Sequence, residues 1–332
     1  MRKSQFSDGF VPPAGMRNAH LQSVLASLRV RWPFIRRRAR DLLGASRKVI
    51  VHGDDGVRLN GYYTSAAPNA PMVVLIHGWE GSAHSQYIIS AAALLHDHGY
   101  AVFRLQLRDH GDSHHLNPEV FHSCRLEETA EAVRQIRRRF HPPQLFLGGF
   151  SLGGNFALRI ARHAPQIGLE LDGVCAISPV IDPAITLRHM QEGPTIYQGY
   201  FMKKWRRSLR RKNQFYPDAL DISLLSTHRN LLELTEVLVE TIGGFDSVAD
   251  YFDGYSVKDE RLHTITIPAA ILAASDDPIV PDEPLQAVKE TDHLRIFRTR
   301  HGGHCGFLTA VHRESYADQF MVNWFNNARA KG

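Results

Sequence analysis

The residues QLFLGGFSLGGNFALRIARH, at positions 144–163, contain the feature that decides the fold. An apolar run, Gln144–Phe150, predicts a buried strand, and the helical pattern Leu152–His163 follows it with only Ser151 between them. Ser151 is the centre of the pattern G-x-S-x-G, which is formed by Gly149–Gly153. A residue held on such a sharp turn needs glycine on either side, because larger side chains would collide across the turn. This strand–turn–helix context makes Ser151 a candidate nucleophile, whereas a phosphate-binding start of a helix is the alternative interpretation.

Short apolar runs of the same kind recur on both sides of this motif and alternate with helical patterns. The predicted strands are Lys48–His52, Val57–Thr64, Met72–His77, Tyr100–Leu107, Gln144–Phe150, Gly173–Ser178, Ala269–Ala274 and Leu294–Arg298. The predicted helices are Ser85–His98, Arg125–Phe140, Leu152–His163, Pro284–Glu290 and Tyr316–Ala330. Nearly continuous apolar runs are typical of strands covered on both faces, and the turn Gly53–Gly56 predicts an antiparallel hairpin of the first two strands. The sequence thus predicts an α/β fold with a mostly parallel sheet of about eight strands and helices on both faces.

The longest departure from this alternation is Asp182–His263, about 80 residues between two predicted strands. Helical periodicity in Leu224–Thr241 and many aromatic residues indicate a folded unit rather than a loop, so we predict a helical lid or cap over the strand ends. Before the first strand, an apolar-periodic stretch at His20–Leu28 indicates an N-terminal arm. The predicted division is an arm at 1–46, a core at 47–181 and 266–332, and a cap at 182–265.

A serine hydroxyl is a weak nucleophile, so it needs a base that is itself oriented by an acid. In folds with this turn, the acid and the base follow in loops after later strands. The run Ala269–Ala274 is followed by Asp276 and Asp277, and we predict Asp277 as the acid. The alternatives are Asp276, which is well suited to cap a turn, and Asp182.

The candidate base lies in the loop after the last predicted strand, Leu294–Arg298. This loop contains His301 and His304, and the glycines around the second histidine give the loop freedom to bend inward. Both the acid loop and this loop follow the carboxyl ends of strands, where open α/β sheets place their sites. We therefore predict His304 as the base and His301 as a solvent-exposed residue.

Backbone N–H groups are expected to stabilise the negatively charged oxygen that forms during acyl transfer. One donor is predicted at Leu152, where the helix after Ser151 begins. The second is predicted in His77–Gly81, which matches the pattern H-G-x-x-G in the loop after the third strand. We assign the N–H groups of Trp79 and Leu152 to this oxyanion hole.

Positive charge is clustered, and the formal net charge is +5. The clusters are Arg36–Arg40, Arg137–Arg139 and Lys203–Lys212. Solvated helix faces account for such clusters, and peripheral association with an anionic membrane surface is the alternative. Because no nucleic-acid-binding motif accompanies the charge, we predict no nucleic-acid partner.

The cysteines and histidines bear on whether the protein has disulfides, a metal site or a cofactor. The three cysteines are Cys124, Cys175 and Cys305. They are too few and too scattered for a disulfide framework or a zinc site, which predicts a cytoplasmic protein in reducing surroundings. The histidines around His110 show no secure metal-ligand spacing, so neither a metal nor a cofactor is expected.

From about Lys48 to its end, the chain resembles the α/β-hydrolase superfamily. The superfamily marks are Gly149–Gly153, His77–Gly81, Asp277 with Pro278-Ile279-Val280, and Gly303-His304. More narrowly, the chain is similar to the YheT-like branch, the embryogenesis-associated ABHD-type hydrolases. The marks of that branch are Asn18–Ser23, which resembles an N-x-H-x-Q-T element, the turn Gly149–Asn155, the aromatic segment Gly243–Ser256 and the acid loop Asp276–Pro278.

The resemblance implies a carboxylesterase or lipase that works through an acyl-enzyme, with Ser151 as nucleophile, Asp277 as acid and His304 as base. Its substrate would be a small or lipid-like ester, bound by aromatic residues of the cap. The candidates are Tyr197, Tyr200, Phe245 and Tyr251, and a place in the cap's own core is the alternative for each. An acyltransferase with the same triad and a non-catalytic binding protein are the alternative functions.

Overall fold

The computed structural model describes residues 9–219 and 221–330, in which an eight-stranded sheet forms the centre of the fold. The strands are β1 (Arg47–His52), β2 (Arg58–Thr64), β3 (Met72–Ile76), β4 (Ala101–Gln106), β5 (Leu145–Phe150), β6 (Gly173–Ile177), β7 (Ala269–Ala274) and β8 (Leu294–Thr299). Their spatial order is β1-β2-β4-β3-β5-β6-β7-β8. Strand β2 is antiparallel to β1 and β4, and all other neighbours are parallel. The predicted hairpin and mostly parallel sheet are therefore confirmed.

Helices cover both faces of this sheet. Those in the described residues are α1 (Ala19–Ser27), α2 (Trp32–Arg38), α3 (Arg40–Ala45), α4 (Gln86–Asp97), α5 (Leu126–Phe140), α6 (Leu152–His163), α7 (Pro183–Glu192), α8 (Thr195–Phe215), α9 (Leu224–Thr227), α10 (Leu231–Ile242), α11 (Val248–Tyr255), α12 (Glu283–Ala287) and α13 (Tyr316–Arg329). Along β3, Val74 and Ile76 pack with α5 and α6 on one face, while Val73 and Leu75 pack with α4 and α13 on the other. Every residue of β3 is buried, which explains why its sequence is apolar throughout.

Between β6 and β7 the chain leaves the sheet and forms α7–α11, and we call residues 182–265 the insertion. Its apolar side chains form a third cluster, which also takes in Ile279 and Val280 from the loop after β7. The helical pattern of Leu224–Thr241 is divided into α9 and α10. The division occurs because Asn230 begins a new helix, its Oδ1 accepting a hydrogen bond from Glu233 N at 2.9 Å.

Helix α8 contacts the core through a buried ion pair. Lys212 Nζ lies 2.8 Å from Asp109 Oδ1, and the two side chains are only 1% and 7% exposed. Ser208, one turn earlier on α8, donates from its hydroxyl to the Asp109 carbonyl oxygen at 3.0 Å. Because water is excluded, loss of either charge would leave the other unpaired at a cost of about 3–5 kcal/mol. The pair fixes α8 against the loop after β4.

Some predicted segments extend past the described residues. Residues 1–8 of the predicted arm, residue 220 of the predicted cap and residues 331–332 of the predicted core lie outside them. Within the described part of the chain, no helix combines the length and the apolar character needed to cross a bilayer.

Candidate active site

Ser151 lies at the joint between β5 and α6, with backbone angles φ 55° and ψ −123°. A positive φ costs a residue other than glycine about 1–3 kcal/mol, so the surroundings must hold it in place. Ser151 N donates to Ile177 O at 2.8 Å. A Cβ on Gly149 would lie 2.1 Å from Gly153 O, and one on Gly153 would lie 2.2 Å from Ile76 O. Glycine is therefore required at both positions by backbone contacts across the turn and with β3.

Three residues from distant parts of the chain form a line of hydrogen bonds. His304 Nε2 lies 2.9 Å from Ser151 Oγ, and His304 Nδ1 lies 2.8 Å from Asp277 Oδ2. The other carboxylate oxygen of Asp277 accepts from the backbone N–H groups of Ile279 and Val280 at 2.8 and 3.0 Å. Those two bonds fix the carboxylate, which in turn orients the imidazole with its Nε2 toward the serine hydroxyl.

The other candidate acids occupy different places. Asp276 Oδ1 accepts from Gly303 N at 2.9 Å, and its Oδ2 lies 3.4 Å from the half-exposed ring of His301. Asp182 is the N-cap of α7, and its Oδ1 accepts from backbone N–H groups of the first turn. Of the three candidates, Asp277 is the one that the structure brings to the predicted base.

The imidazole of His304 is electrostatically prepared to hold a proton. Burial by itself would lower the pKa of His304, but the adjacent Asp277 carboxylate and the sulfur of Cys305 outweigh burial and raise the pKa well above the usual 6.5. A base with a raised pKa binds the proton of an attacking hydroxyl more strongly. The arrangement can therefore withdraw the Ser151 proton as Oγ forms a new bond.

The loop after β3 lies directly beside the serine. A Cβ on Gly78 would be 3.0 Å from Ser151 Cβ, so this loop approaches the turn as closely as a glycine allows. The side chain of His77 joins this loop to the end of β4. Its Nδ1 donates to Gly78 O at 2.8 Å, and its Nε2 accepts from Leu107 N at 3.2 Å. Burial lowers the pKa of His77 well below the usual value, which keeps the ring neutral for this pair of bonds. Trp79 follows in the same loop.

A cavity lies between the insertion and the core and reaches Ser151; we call it the apolar cavity. The Phe, Trp and Tyr residues in its walls are Trp79, Phe121, Phe201, Trp205, Tyr251, Phe252 and Tyr255. Leu152, at the start of α6, and Val280, in the loop after β7, line it as well. Such walls favour a hydrocarbon chain, because each buried CH₂ contributes about 0.8 kcal/mol.

The four aromatic residues predicted to bind substrate are placed differently from one another. Tyr251 lines the apolar cavity, and Tyr200 lines a second cavity that also reaches Ser151. Phe245 packs edge-on against Tyr251 with ring centroids 5.3 Å apart, so it contacts a wall residue. The Tyr197 hydroxyl lies 2.8 Å from His20 Nδ1, which directs it toward the N-terminal helix α1.

Helix α1 contacts the loop after β8, which contains His304 and which we call the histidine loop. The sequence did not predict this contact. Ser23 Oγ accepts from His304 N at 2.8 Å. The fully buried Gln22 accepts from Leu308 N at 2.7 Å and donates to Leu308 O at 2.8 Å. These bonds fix the backbone at His304 and four residues further on, at Leu308.

The same helix explains a glycine in that loop. Gly303 has φ 54°, and a Cβ there would lie 2.4 Å from Ala19 O of α1. The available signal was the element Asn18–Ser23, in which two adjacent polar residues, Gln22 and Ser23, interrupt an apolar-periodic stretch. Buried polar side chains need partners, and these partners lie at the far end of the chain.

A mostly parallel sheet of eight strands, with a serine on the tight turn between a strand and a helix, defines the alpha/beta hydrolase fold. A sequence model of the family described by that fold matches residues 71–311, and the chain belongs to this family. It is 26% identical over 323 residues to YheT of Escherichia coli (strain K12), covering 95% of this chain and 92% of that protein.

Two further comparisons extend this relationship. The phospholipase ABHD3 of Mus musculus is 23% identical over 257 residues, which are 75% of this chain and 61% of that protein. Among solved structures, the esterase Pf2001 of Pyrococcus furiosus matches with a TM-score of 0.56 and 16% identity, covering 85% of this chain and 92% of that chain. The predicted resemblance to ABHD-type alpha/beta hydrolases is confirmed.

Proposed function

We propose that this protein is a serine hydrolase that cleaves carboxylic esters. The observation that carries the proposal is the line of hydrogen bonds from Asp277 through His304 to Ser151, which ends at the apolar cavity. A nucleophile, a base and an orienting acid in this order are what acyl transfer requires. An ester as substrate is supported by two proteins similar to this chain, which are named as a phospholipase and an esterase.

In the first half of the proposed reaction, Ser151 Oγ attacks the carbonyl carbon of the ester while its proton passes to His304 Nε2. The carbonyl π electrons move onto the oxygen and produce a tetrahedral oxyanion. The N–H groups of Trp79 and Leu152 are the proposed donors to this oxygen, and one such donor contributes about 10²–10³ in turnover. The Asp277 carboxylate stabilises the imidazolium that has formed.

In the second half, the imidazolium of His304 gives its proton to the alcohol oxygen as the carbon–oxygen bond breaks. The alcohol leaves, and the acyl group stays on Ser151 as an ester. A water molecule then repeats the sequence, with His304 again as the base, and releases the carboxylic acid. The serine and the imidazole return to their starting protonation states.

We further propose the predicted division of the chain as its functional organisation. In this proposal the core 47–181 and 266–332 supplies the catalytic residues, the arm 1–46 supports them, and the insertion acts as a cap that holds the acyl chain. Tyr251 supports the role of the cap, because it belongs to the insertion and lines the apolar cavity beside Ser151. The acyl chain would displace water from this aromatic surface.

The test is hydrolysis of p-nitrophenyl esters of increasing acyl length by the wild type and by Ser151→Ala. We expect turnover to fall by on the order of 10⁶, as on loss of the nucleophile in serine-protease triads. Ser65→Ala, at an exposed serine after β2, controls for the preparation and should keep full activity. A fluorophosphonate probe should label the wild type at Ser151, which mass spectrometry of the peptide would locate. An inert wild type, or equal activity in Ser151→Ala, would contradict the proposal.

Location and surface association complete the proposed function. All three cysteines are free thiols, which supports a reducing cytoplasm as the location. Peripheral contact with an anionic membrane is supported by exposed apolar side chains next to arginines in the arm, namely Leu28, Val30 and Phe34. Sedimentation with anionic vesicles should show binding that weakens with salt, and vesicles that leave the protein in the supernatant at low salt would contradict this contact.

A further inference from the structure

The second cavity has a more polar lining than the apolar cavity. Ser151, Trp79 and Phe201 line both cavities, so the two meet at the candidate nucleophile. An ester also has two halves, an acyl group and an alcohol, joined at the carbon that a nucleophile attacks. Two cavities that meet at the serine therefore fit the two halves of one substrate.

The position of His304 decides which half each cavity receives. His304 lines the second cavity together with Ser151, whereas the lining of the apolar cavity includes Leu152 and Tyr251. In acyl transfer the imidazole must give its proton to the oxygen of the leaving alcohol. The alcohol half therefore belongs in the second cavity, on the side of the histidine.

Lys204 of α8 brings a positive charge into this second cavity. Its Nζ donates to the Glu80 carbonyl oxygen at 2.9 Å and lies 4.8 Å from the centre of the Tyr200 ring. Within the described part of the chain, Lys204 forms no ion pair with a carboxylate. An ammonium group has three donors, so it retains the capacity to bind an anion.

We propose that the second cavity binds the alcohol half of an ester whose alcohol carries an anionic group, a carboxylate or a phosphate, and that Lys204 recognises this group. The inference rests on the proposed ester hydrolysis. It adds no chemical step: the same carbon–oxygen bond breaks, and the anionic group leaves with the alcohol.

The charge around this cavity favours an anion. Helix α8 has no Asp or Glu, and besides Lys212, which is paired with Asp109, it has six basic residues: Lys203, Lys204, Arg206, Arg207, Arg210 and Arg211. A helix of one sign beside the opening raises the local concentration of oppositely charged substrates. Lys204 interacts electrostatically with Glu80, where burial raises the pKa to about 7 against the lowering influence of Lys204, so this carboxyl is partly neutral near that pH.

A purely structural role for Lys204 is the competing explanation, since its bond to Glu80 O also joins α8 to the loop that contains Trp79. The two roles differ in their dependence on the substrate. A structural clamp affects every ester equally, whereas anion recognition affects only esters with the charged alcohol. The experiment therefore compares two esters in each variant.

The substrates are an octanoyl ester of a nitrophenol bearing a carboxylate and the same ester with a carboxamide in its place. We expect the wild type to prefer the carboxylate in kcat/KM by roughly 10- to 100-fold, the range for a hydrogen bond to a charged group. Lys204→Gln should lose this preference, because its kcat/KM should fall much further for the carboxylate ester than for the carboxamide ester, while Lys204→Arg should retain the preference. Lys203→Gln is the matched control, because it removes the same charge from the neighbouring, exposed position of α8.

Each outcome has a distinct meaning. The inference would be overturned if Lys204→Gln lost both activities to the same extent, or if Lys203→Gln lost the preference. Equal rates of the wild type on both esters would also overturn it. A wild type inert on both esters would instead overturn the proposed hydrolysis. If Lys204→Gln does not fold, the wild type still provides a test, since its preference for the carboxylate ester should shrink with added salt. Octanoyl glycerol phosphate compared with octanoyl glycerol then shows whether phosphate is accepted as carboxylate is.

Discussion

Replacing Asp277 by asparagine exchanges one oxygen of the side chain for an amide nitrogen and should nearly abolish hydrolysis. The Oδ1 atom accepts from Ile279 N and Val280 N at 2.8 and 3.0 Å, and an amide oxygen can keep both bonds. The amide nitrogen of the substituted side chain then faces His304 Nδ1, where Oδ2 lay at 2.8 Å. An amide nitrogen only donates, so the ring must leave Nδ1 unprotonated and carry its proton on Nε2. With that proton directed at Ser151, the imidazole cannot act as the base.

The expected loss follows from this wrong tautomer. The same substitution in a serine-protease triad lowers turnover by about 10⁴, or about 5 kcal/mol of transition-state stabilisation. A second signature is the acidic limb of the pH profile. Because the Asp277 carboxylate raises the pKa of His304 above 6.5, the wild type should gain activity only as the pH rises past that value. Without the carboxylate, the residual activity of the variant should appear at lower pH.

The assay is kcat/KM for one p-nitrophenyl ester across the pH range, for Asp277→Asn and for the matched control Asp276→Asn. The control residue accepts from Gly303 N at 2.9 Å and pairs with His301, so its loss should lower activity by less than about tenfold. Thermal unfolding of both variants separates misfolding from lost chemistry. A folded Asp277→Asn with near wild-type activity, or an equally large loss in Asp276→Asn, would refute the assignment of the acid.

Three further predictions concern the surroundings of the triad. Ser23→Ala leaves the His304 backbone N–H without its acceptor, so we expect kcat/KM to fall by roughly tenfold. Ser23→Thr should restore it, and equal rates in the wild type and both variants would contradict this. Gly303→Ala places a Cβ 2.4 Å from Ala19 O at φ 54°, which should lower the free energy of unfolding by about 2–4 kcal/mol in urea titration; an unchanged midpoint would argue against that contact. Burial raises the pKa of Glu80 from 4.5 to about 7, so the contribution of this residue to stability should fall as the pH rises through that window. Glu80→Gln removes this titration and should gain about 2–3 kcal/mol relative to the wild type between the two ends of the window, whereas a difference that is constant with pH would refute it.

The sheet could be predicted closely because its residues carry a local signal. Strand β7 was predicted at its observed bounds, Ala269–Ala274, and helix α6 likewise at Leu152–His163. Strands buried on both faces are apolar at every position, and turn-forming residues mark where they end. The motif around Ser151 was equally local, since one strand, one turn and one helix define it.

Other features depend on contacts that no short stretch records. Lys212 belongs to a cluster that also suits a solvated helix face, yet it is buried against Asp109, 103 positions earlier in the chain. Whether a charge faces water or a partner depends on the packing of the whole domain. For the same reason, the sequence could propose both Asp276 and Asp277, and their hydrogen bonds in the folded chain distinguish them.

The contact between helix α1 and the histidine loop bears on how the protein is made. Ser23 bonds to His304 across 281 positions, and Gln22 bonds to Leu308 across 286. During synthesis the ribosome releases α1 long before the loop that it supports, so α1 must wait until the chain has emerged as far as Leu308. The line of hydrogen bonds from Asp277 to Ser151 thus receives its support from α1 only after Leu308 has been synthesised, when the core strands are already available to form.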